Sequence, residues 1–213
     1  MKLKELEGIL QDCAVFSDPK IQYEQYPTTA HLAARMLYTA DTVYDDIEDK
    51  VIGDFGCGCG VLSIAANILG AGIGFDIDPD AVAIAQENCD QFDISMDFVL
   101  TDLTQARLDR FKGQIDTIIM NPPFGTKTKG VDMVLLKKAI EIAGTSVYSL
   151  HKTSTRDHIM KKAKEWGVGC EVLAELKASL YYQYMYIFDV PMMYKFHKKK
   201  SVDIAVDFLR FSK

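Results

Sequence analysis

The sequence has 213 residues, 48% of them hydrophobic and 25% charged, with a formal net charge of −6. Those values fit one globular domain with a sizeable core. They leave no room for a membrane span, because no apolar run approaches the ~20 residues a bilayer requires. The first residues, Met1-Lys2-Leu3-Lys4-Glu5-Leu6-Glu7, lack the apolar core of a secretory signal. Cys13, Cys57, Cys59, Cys89 and Cys170 form no C-x-x-C pair, which argues against a zinc site, and no metal is expected. An odd cysteine count without a signal suggests reduced thiols in the cytosol or nucleus.

In chain order, Leu3, Leu6, Ile9 and Leu10 fall at helical spacing and predict an amphipathic helix over 2–12. Residues 19–27 read as extended. A second helix is predicted over 29–39, with Thr28 or Thr29 as cap. Strands and helices then alternate: strand 50–55, helix 61–69 ended by Gly70, strand 72–76, and helix 79–89 with Pro79 in its first turn. Strands follow at 96–100 and 116–120, helix at 131–143, strand at 146–150, and helix at 155–166 ended by Gly167. Two further strands lie near 171–176 and 202–211. The alternation predicts an α/β fold, a mostly parallel sheet with helices on both faces. Ligands of such sheets bind beyond the carboxyl ends of the strands. No repeat or linker interrupts the chain, so 1–213 reads as a single domain. Residues 1–45 form an N-terminal helical extension, and 193–213 a basic hairpin with the last strand.

Charge is unevenly distributed. Residues 1–60 carry 5 basic and 11 acidic side chains, whereas residues 151–213 carry 12 and 7. The densest basic cluster is Lys195-Phe196-His197-Lys198-Lys199-Lys200. Such a run serves nucleic-acid binding or is a solvated charged loop.

After the first strand comes Asp54-Phe55-Gly56-Cys57-Gly58-Cys59-Gly60. Glycines let the backbone turn tightly and approach a ligand. A nicotinamide fingerprint would need glycine at position 61, which is Val61, and no Lys-Ser/Thr follows to make a phosphate loop. Asp76 ends the second strand, where a carboxylate can accept bonds from both hydroxyls of a ribose.

The glycine turn and the acid of strand two together resemble class I S-adenosylmethionine-dependent methyltransferases. The resemblance implies a Rossmann-like, seven-stranded sheet and S-adenosyl-L-methionine as methyl donor. By it, Gly56, Gly58, Cys59, Gly60 and Val61 surround the methionine part, Asp76 holds the ribose, and Asp102 bonds the adenine amino group. Asp54 is expected to assist electrostatically near the sulfonium. Cys57 and Cys59 are expected to be small apolar loop residues.

Asn121-Pro122-Pro123-Phe124 fits neither helix nor strand, since two prolines fix φ and remove two backbone donors. The turn follows strand four, beside the expected donor. An exocyclic amine on a base is a poor nucleophile because its lone pair is delocalised. The side-chain oxygen of Asn121 and the carbonyl of Pro122 offer two rigid acceptors for its N–H groups. Phe124 offers a face for a flat base. The tetrapeptide is similar to motif IV of amino-methyltransferases, which recurs in enzymes for adenine N6, guanine N2 and protein glutamine amides.

The segments Glu24-Gln25-Tyr26-Pro27-Thr28, Ala33 to Tyr38, Asp54 to Ser63 and Tyr194 to Asp203 closely resemble the methyltransferase-like protein 5 family. That family methylates adenine N6 in small-subunit ribosomal RNA. The resemblance implies that Gln25 and Thr28 line the donor pocket. It also implies that Lys195, Lys198, Lys199 and Lys200 hold the RNA backbone, with Phe196 stacking. A small zinc-binding activator subunit is expected as heterodimer partner, adding a strand at the sheet edge formed by Met96 to Leu100. Nucleus (nucleolus) and cytoplasm are the expected locations. Tyr181 to Met193 departs from the family pattern, as an RNA-stacking surface or a longer β-hairpin arm. Three other readings stay open: a protein glutamine amide N-methyltransferase, which would need no basic tail; a guanine N2 RNA methyltransferase; and a pseudoenzyme that binds RNA or a partner, which would be expected to have lost a piece of the donor site.

Overall fold

Val51–Phe55 (β1), Ala71–Asp76 (β2), Thr117–Met120 (β4) and Ser146–Lys152 (β5) are short, apolar runs, the pattern of strands covered on both faces. A computed structural model describes residues 1–181, 184–188 and 201–213, and within 178–203 the backbone alone. The remaining strands are Asp97–Leu100 (β3), Gly169–Tyr181 (β6), Tyr184–Phe188 (β7) and Ser201–Ser212 (β8). All eight form one sheet in the order β3-β2-β1-β4-β5-β8-β6-β7. The first five are parallel to one another, and β8, β6 and β7 continue antiparallel. The expected seven-stranded, mostly parallel sheet is therefore present, extended by β7. That strand pairs with the far half of β6, from Lys177↔Phe188 to Tyr181↔Tyr184. Over its described residues the segment 181–193 is thus a hairpin arm.

The helices are Leu3–Leu10 (α1), Ala30–Thr42 (α2), Val61–Leu69 (α3), Pro79–Gln91 (α4), Val131–Ile142 (α5) and Arg156–Glu165 (α6). Each strand turns alternate side chains to opposite faces. Ile119, Tyr148, Leu150 and Phe208 enter one core cluster with Leu6 and Leu10 of α1, Leu32 and Leu37 of α2 and Ile64 of α3. Their neighbours Ile118, Met120, Val147, Leu209 and Phe211 enter a second with Leu135, Leu136 and Ala139 of α5 and Ile159 of α6. Helices cover both faces, as the alternation predicts. Local signals start them: Thr29 accepts from the Leu32 amide, and Asp78 caps α4 ahead of Pro79.

The strand order reverses at β1, which is flanked by β2 and β4. Such a switch point opens a crevice at the carboxyl ends of those strands. The opposite end is tied by a buried polar knot. Asp46 accepts from the Tyr148 hydroxyl at 2.6 Å and from Arg210 Nε at 3.0 Å. Arg210 also donates to Ser146 and lies 4.3 Å from the centre of the Tyr44 ring. Burial, then the Asp46 carboxylate, raises the Tyr148 phenol. Arg210→Ala would leave Asp46 buried without its cation. Breaking such a pair costs roughly 3–5 kcal/mol, so the urea midpoint of this variant is expected to fall sharply.

Candidate active site

A cavity of about 320 Å³ lies at the switch point. Its floor is the glycine loop. Gly56 has φ 77°, a left-handed conformation, and the direction its Cβ would take is open space. Glycine is needed there for the turn, and the open side is where a ligand fits. Gly58, at φ 53°, is backed by Phe16.

Asp76 closes β2 and is 9% exposed. Its Oδ2 accepts from the Gly58 amide at 2.8 Å and its Oδ1 from the Asp78 amide at 2.9 Å. Burial raises its pKa, and the amides of Asp78, Gly58 and Ile77 oppose that shift. Each carboxylate oxygen keeps a further lone pair, enough to receive two ribose hydroxyls. Asp102 uses Oδ1 for both the amide and the hydroxyl of Thr104, at 2.8 and 2.6 Å. Its Oδ2 is left for a ligand N–H. Ile77 and Leu103 add apolar wall. These features fit the adenosine half of S-adenosylmethionine.

The arm from Phe16 to Thr28 forms the other wall. It is extended only in part, because Ile21–Tyr23 makes a 3₁₀ turn. Gln25 donates to Asp78 at 2.6 Å and accepts from the Lys20 amide at 2.7 Å. The Lys20 ammonium bridges Asp78 and Asp80. Asp78 therefore latches the arm to the start of α4, and these contacts hold its pKa down against burial. Neither Lys20 nor Asp78 belongs to a pattern visible in the sequence. Glu24, 6% exposed with φ 51°, accepts from the Lys127 amide at 2.7 Å, across 103 residues.

Asn121 follows β4 on the cavity wall, and its Nδ2 donates to Thr28 Oγ1 at 3.1 Å. That bond orients the amide and leaves Oδ1 as an acceptor. Thr28 thus supports Asn121 as well as lining the cavity. Pro123 is also on the wall.

Of the residues expected at the donor, Gln25, Thr28, Gly56, Gly58, Cys59, Val61, Asp76, Asp102 and Asn121 line the cavity; Asp54 and Gly60 do not. Gly60 starts α3 with φ 83°, and a Cβ there would meet that of Ala85 at 2.9 Å. Its role is helix–helix packing. Asp54 is 1% exposed beneath the loop, accepting from Ser63 Oγ at 2.6 Å, with Oδ1 unpartnered. Pro122 and Phe124 are absent from the wall as well. Phe124 is buried in the first core cluster, so the expected stacking face is turned into the protein. Burial pushes the Cys57 thiol up and that of Cys59 to about 12, which keeps both as inert apolar groups. Lys195, Phe196, Lys198, Lys199 and Lys200 lie outside the described residues.

Burial pushes the Asp54 carboxyl up to about 7, against its ordinary 3.8. The folded protein therefore retains a proton that the unfolded chain has released. The contribution of Asp54 to stability is full below about pH 4 and is lost as pH rises through about 7. Asp54→Asn removes that loss. The Tm difference, variant minus parent, should rise between about pH 4 and 8; a flat difference would contradict the buried, protonated carboxyl.

Residues 26–122, from the arm to the prolines, match the model of the ribosomal protein L11 methyltransferase (PrmA) family. The zebrafish Danio rerio protein rRNA N(6)-adenosine-methyltransferase METTL5 is 53% identical, covering 100% of this chain and 99% of the relative. The Drosophila melanogaster protein of that name is 46% identical over 99% of this chain and 96% of its own. A crystal structure from Pyrococcus horikoshii, described as a candidate RNA methyltransferase, superposes with a TM-score of 0.77. It is 35% identical and covers 100% of this chain and 97% of its own. Full-length identity to these relatives, on a sheet whose switch point carries the glycine turn, Asp76 and Asn121, shows that the chain belongs to the METTL5 family of rRNA N(6)-adenosine-methyltransferases.

Proposed function

We propose that the protein transfers a methyl group from S-adenosyl-L-methionine to the N6 amine of an adenine in small-subunit ribosomal RNA. The observation that carries this reading is the Asn121 amide, oriented by Thr28 on the wall of the cavity that fits the donor. When bound, S-adenosylmethionine supplies an activated sulfonium methyl. Asp76 and Asp102 would hold its ribose and adenine by their unused lone pairs, and Gly56 would leave room for the methionine part. Asn121 Oδ1 accepts one N–H of the target amine. The Pro122 carbonyl, fixed by the proline rings, is the second acceptor the motif implies, although Pro122 itself does not line the cavity. Holding both N–H groups directs the nitrogen lone pair to the methyl, with little reorganisation at the transition state. The methyl would pass to the nitrogen with its old bonding pair left on sulfur, and the nitrogen's extra proton would leave to solvent water. The amide at 121 suffices because the methyl is already activated.

The test is transfer of labelled methyl to total RNA, followed by digestion to nucleosides. N6-methyladenosine is the expected product. Labelled N2-methylguanosine, or label in protein alone, would overturn the assignment.

A small zinc-binding activator subunit is proposed at β3, which among the described residues is paired on one side only and leaves Leu100 56% exposed. Strand addition would cover that edge. Co-expression with the activator is expected to raise Tm and yield, and an isolated chain that is stable and fully active would refute it. Nucleus (nucleolus) and cytoplasm are the proposed locations, in keeping with a ribosomal RNA substrate, and imaging of a tagged chain tests them.

A further inference from the structure

We propose that residues 125–130, Gly-Thr-Lys-Thr-Lys-Gly, form a phosphate clamp for the substrate RNA, with Lys127 and Lys129 as its contacts. The proposal rests on the RNA reading above and assigns its backbone contacts to a loop that no motif marks.

Position is the first ground. Thr128 lines the cavity together with Asn121 and Pro123, so the two lysines flank its acceptor side. Residues 126–129 are exposed. Construction is the second. Gly125 (φ 69°) and Gly130 (φ 79°) carry the chain out and back through left-handed turns. The Val131 amide donates to the Thr128 carbonyl at 3.2 Å, and the Lys127 amide is held by buried Glu24. The loop is therefore pinned from both its own base and the arm across the cavity. Glu24 acts on the backbone of Lys127, which leaves the side chain to solvent.

Charge is the third ground. Among the described residues neither ammonium has an ion-pair partner. The cavity wall beside them carries Glu24, Asp76 and Asp102 on a protein of net charge −6. That field suits a cationic sulfonium donor and repels a polyanion. S-adenosylmethionine has no phosphate, and neither Lys127 nor Lys129 lines the cavity that fits it. RNA brings one negative charge per nucleotide and needs cations where it meets the wall. Two lysines on either side of Thr128 match the phosphates next to a base inserted into the cavity.

The experiment compares wild type, K127A/K129A and K127R/K129R on in-vitro-transcribed small-subunit rRNA between 50 and 200 mM salt. Both variants keep the Lys127 amide that Glu24 holds. For the alanine pair the RNA KM should rise about tenfold at 150 mM. The slope of log KM against log salt should fall by about 1.4, at roughly 0.7 per single-strand contact. The arginine pair should restore both, and donor affinity by calorimetry should be unchanged. An unchanged slope and KM, or a loss of donor affinity equal to the loss of RNA affinity, would overturn the clamp. If wild type co-expressed with the activator methylates no RNA, the functional reading fails and the clamp fails with it.

Discussion

Asn121→Ala is expected to lower the methyl-transfer rate by about 10²–10³, the usual loss on removing one preorganised polar contact at a reacting centre. Donor affinity should change little. Asn121 lines the cavity, but the carboxylates of Asp76 and Asp102 and the glycine loop carry the contacts that fit the donor. The combination of a large fall in kcat with a steady donor Kd separates a chemical role from a structural one. Thr28→Val tests the same device one step back. It deletes the acceptor that orients Asn121 Nδ2, so the amide can rotate and offer N–H where oxygen is needed. An intermediate loss of about tenfold is expected. A Thr28→Val enzyme with full kcat would show that the Asn121–Thr28 bond does not orient the acceptor.

The second large effect concerns Asp76. Two hydrogen bonds from ribose hydroxyls to a charged acceptor contribute about 1.5–3 kcal/mol each. Asp76→Ala should therefore weaken donor binding by about 10²–10⁴. The loss has a local component too, because Asp76 holds the amides of Gly58 and Asp78. Releasing them loosens the glycine loop and the Asp78 latch together. Asp76→Asn keeps one acceptor oxygen and should lose about tenfold. Calorimetric titration with the donor measures all three proteins, and equal affinities would place the ribose elsewhere.

Much of this was legible in the sequence where one residue type is the chemical requirement. Asp76 and Asn121, singled out because a ribose needs an acceptor and a planar amine needs another, both lie on the cavity wall. Helix α3 was found at Val61–Leu69 because Gly70 ends an apolar run. The motif does not say which way each residue faces. Asp54 and Gly60 belong to the same glycine turn as Gly56, yet one points under the loop and the other against Ala85. Phe124 was misplaced because the core cluster that buries it is assembled from residues such as Leu6, Leu32 and Ile64, which are far away in the chain. The Glu24–Lys127 contact has the same origin. Strand β6 runs over 13 residues, longer than its own apolar signal at 171–176, because its length is set by pairing with β8 and β7.

The position of β8 has a consequence for synthesis. Among the described residues, those lining the donor cavity all lie between Phe16 and Leu135, and the five parallel strands are finished at Lys152. A nascent chain can therefore build its donor site early. Strand β6 cannot join, since β8 lies between it and β5 yet is translated after it. At about 5–20 residues per second, β6 waits on the order of a few seconds as an unpaired edge. During that interval the ribosome carries a nascent enzyme with a complete cofactor pocket and an adhesive, unfinished flank. Chaperone capture, and aggregation when synthesis stalls, should concentrate on that flank.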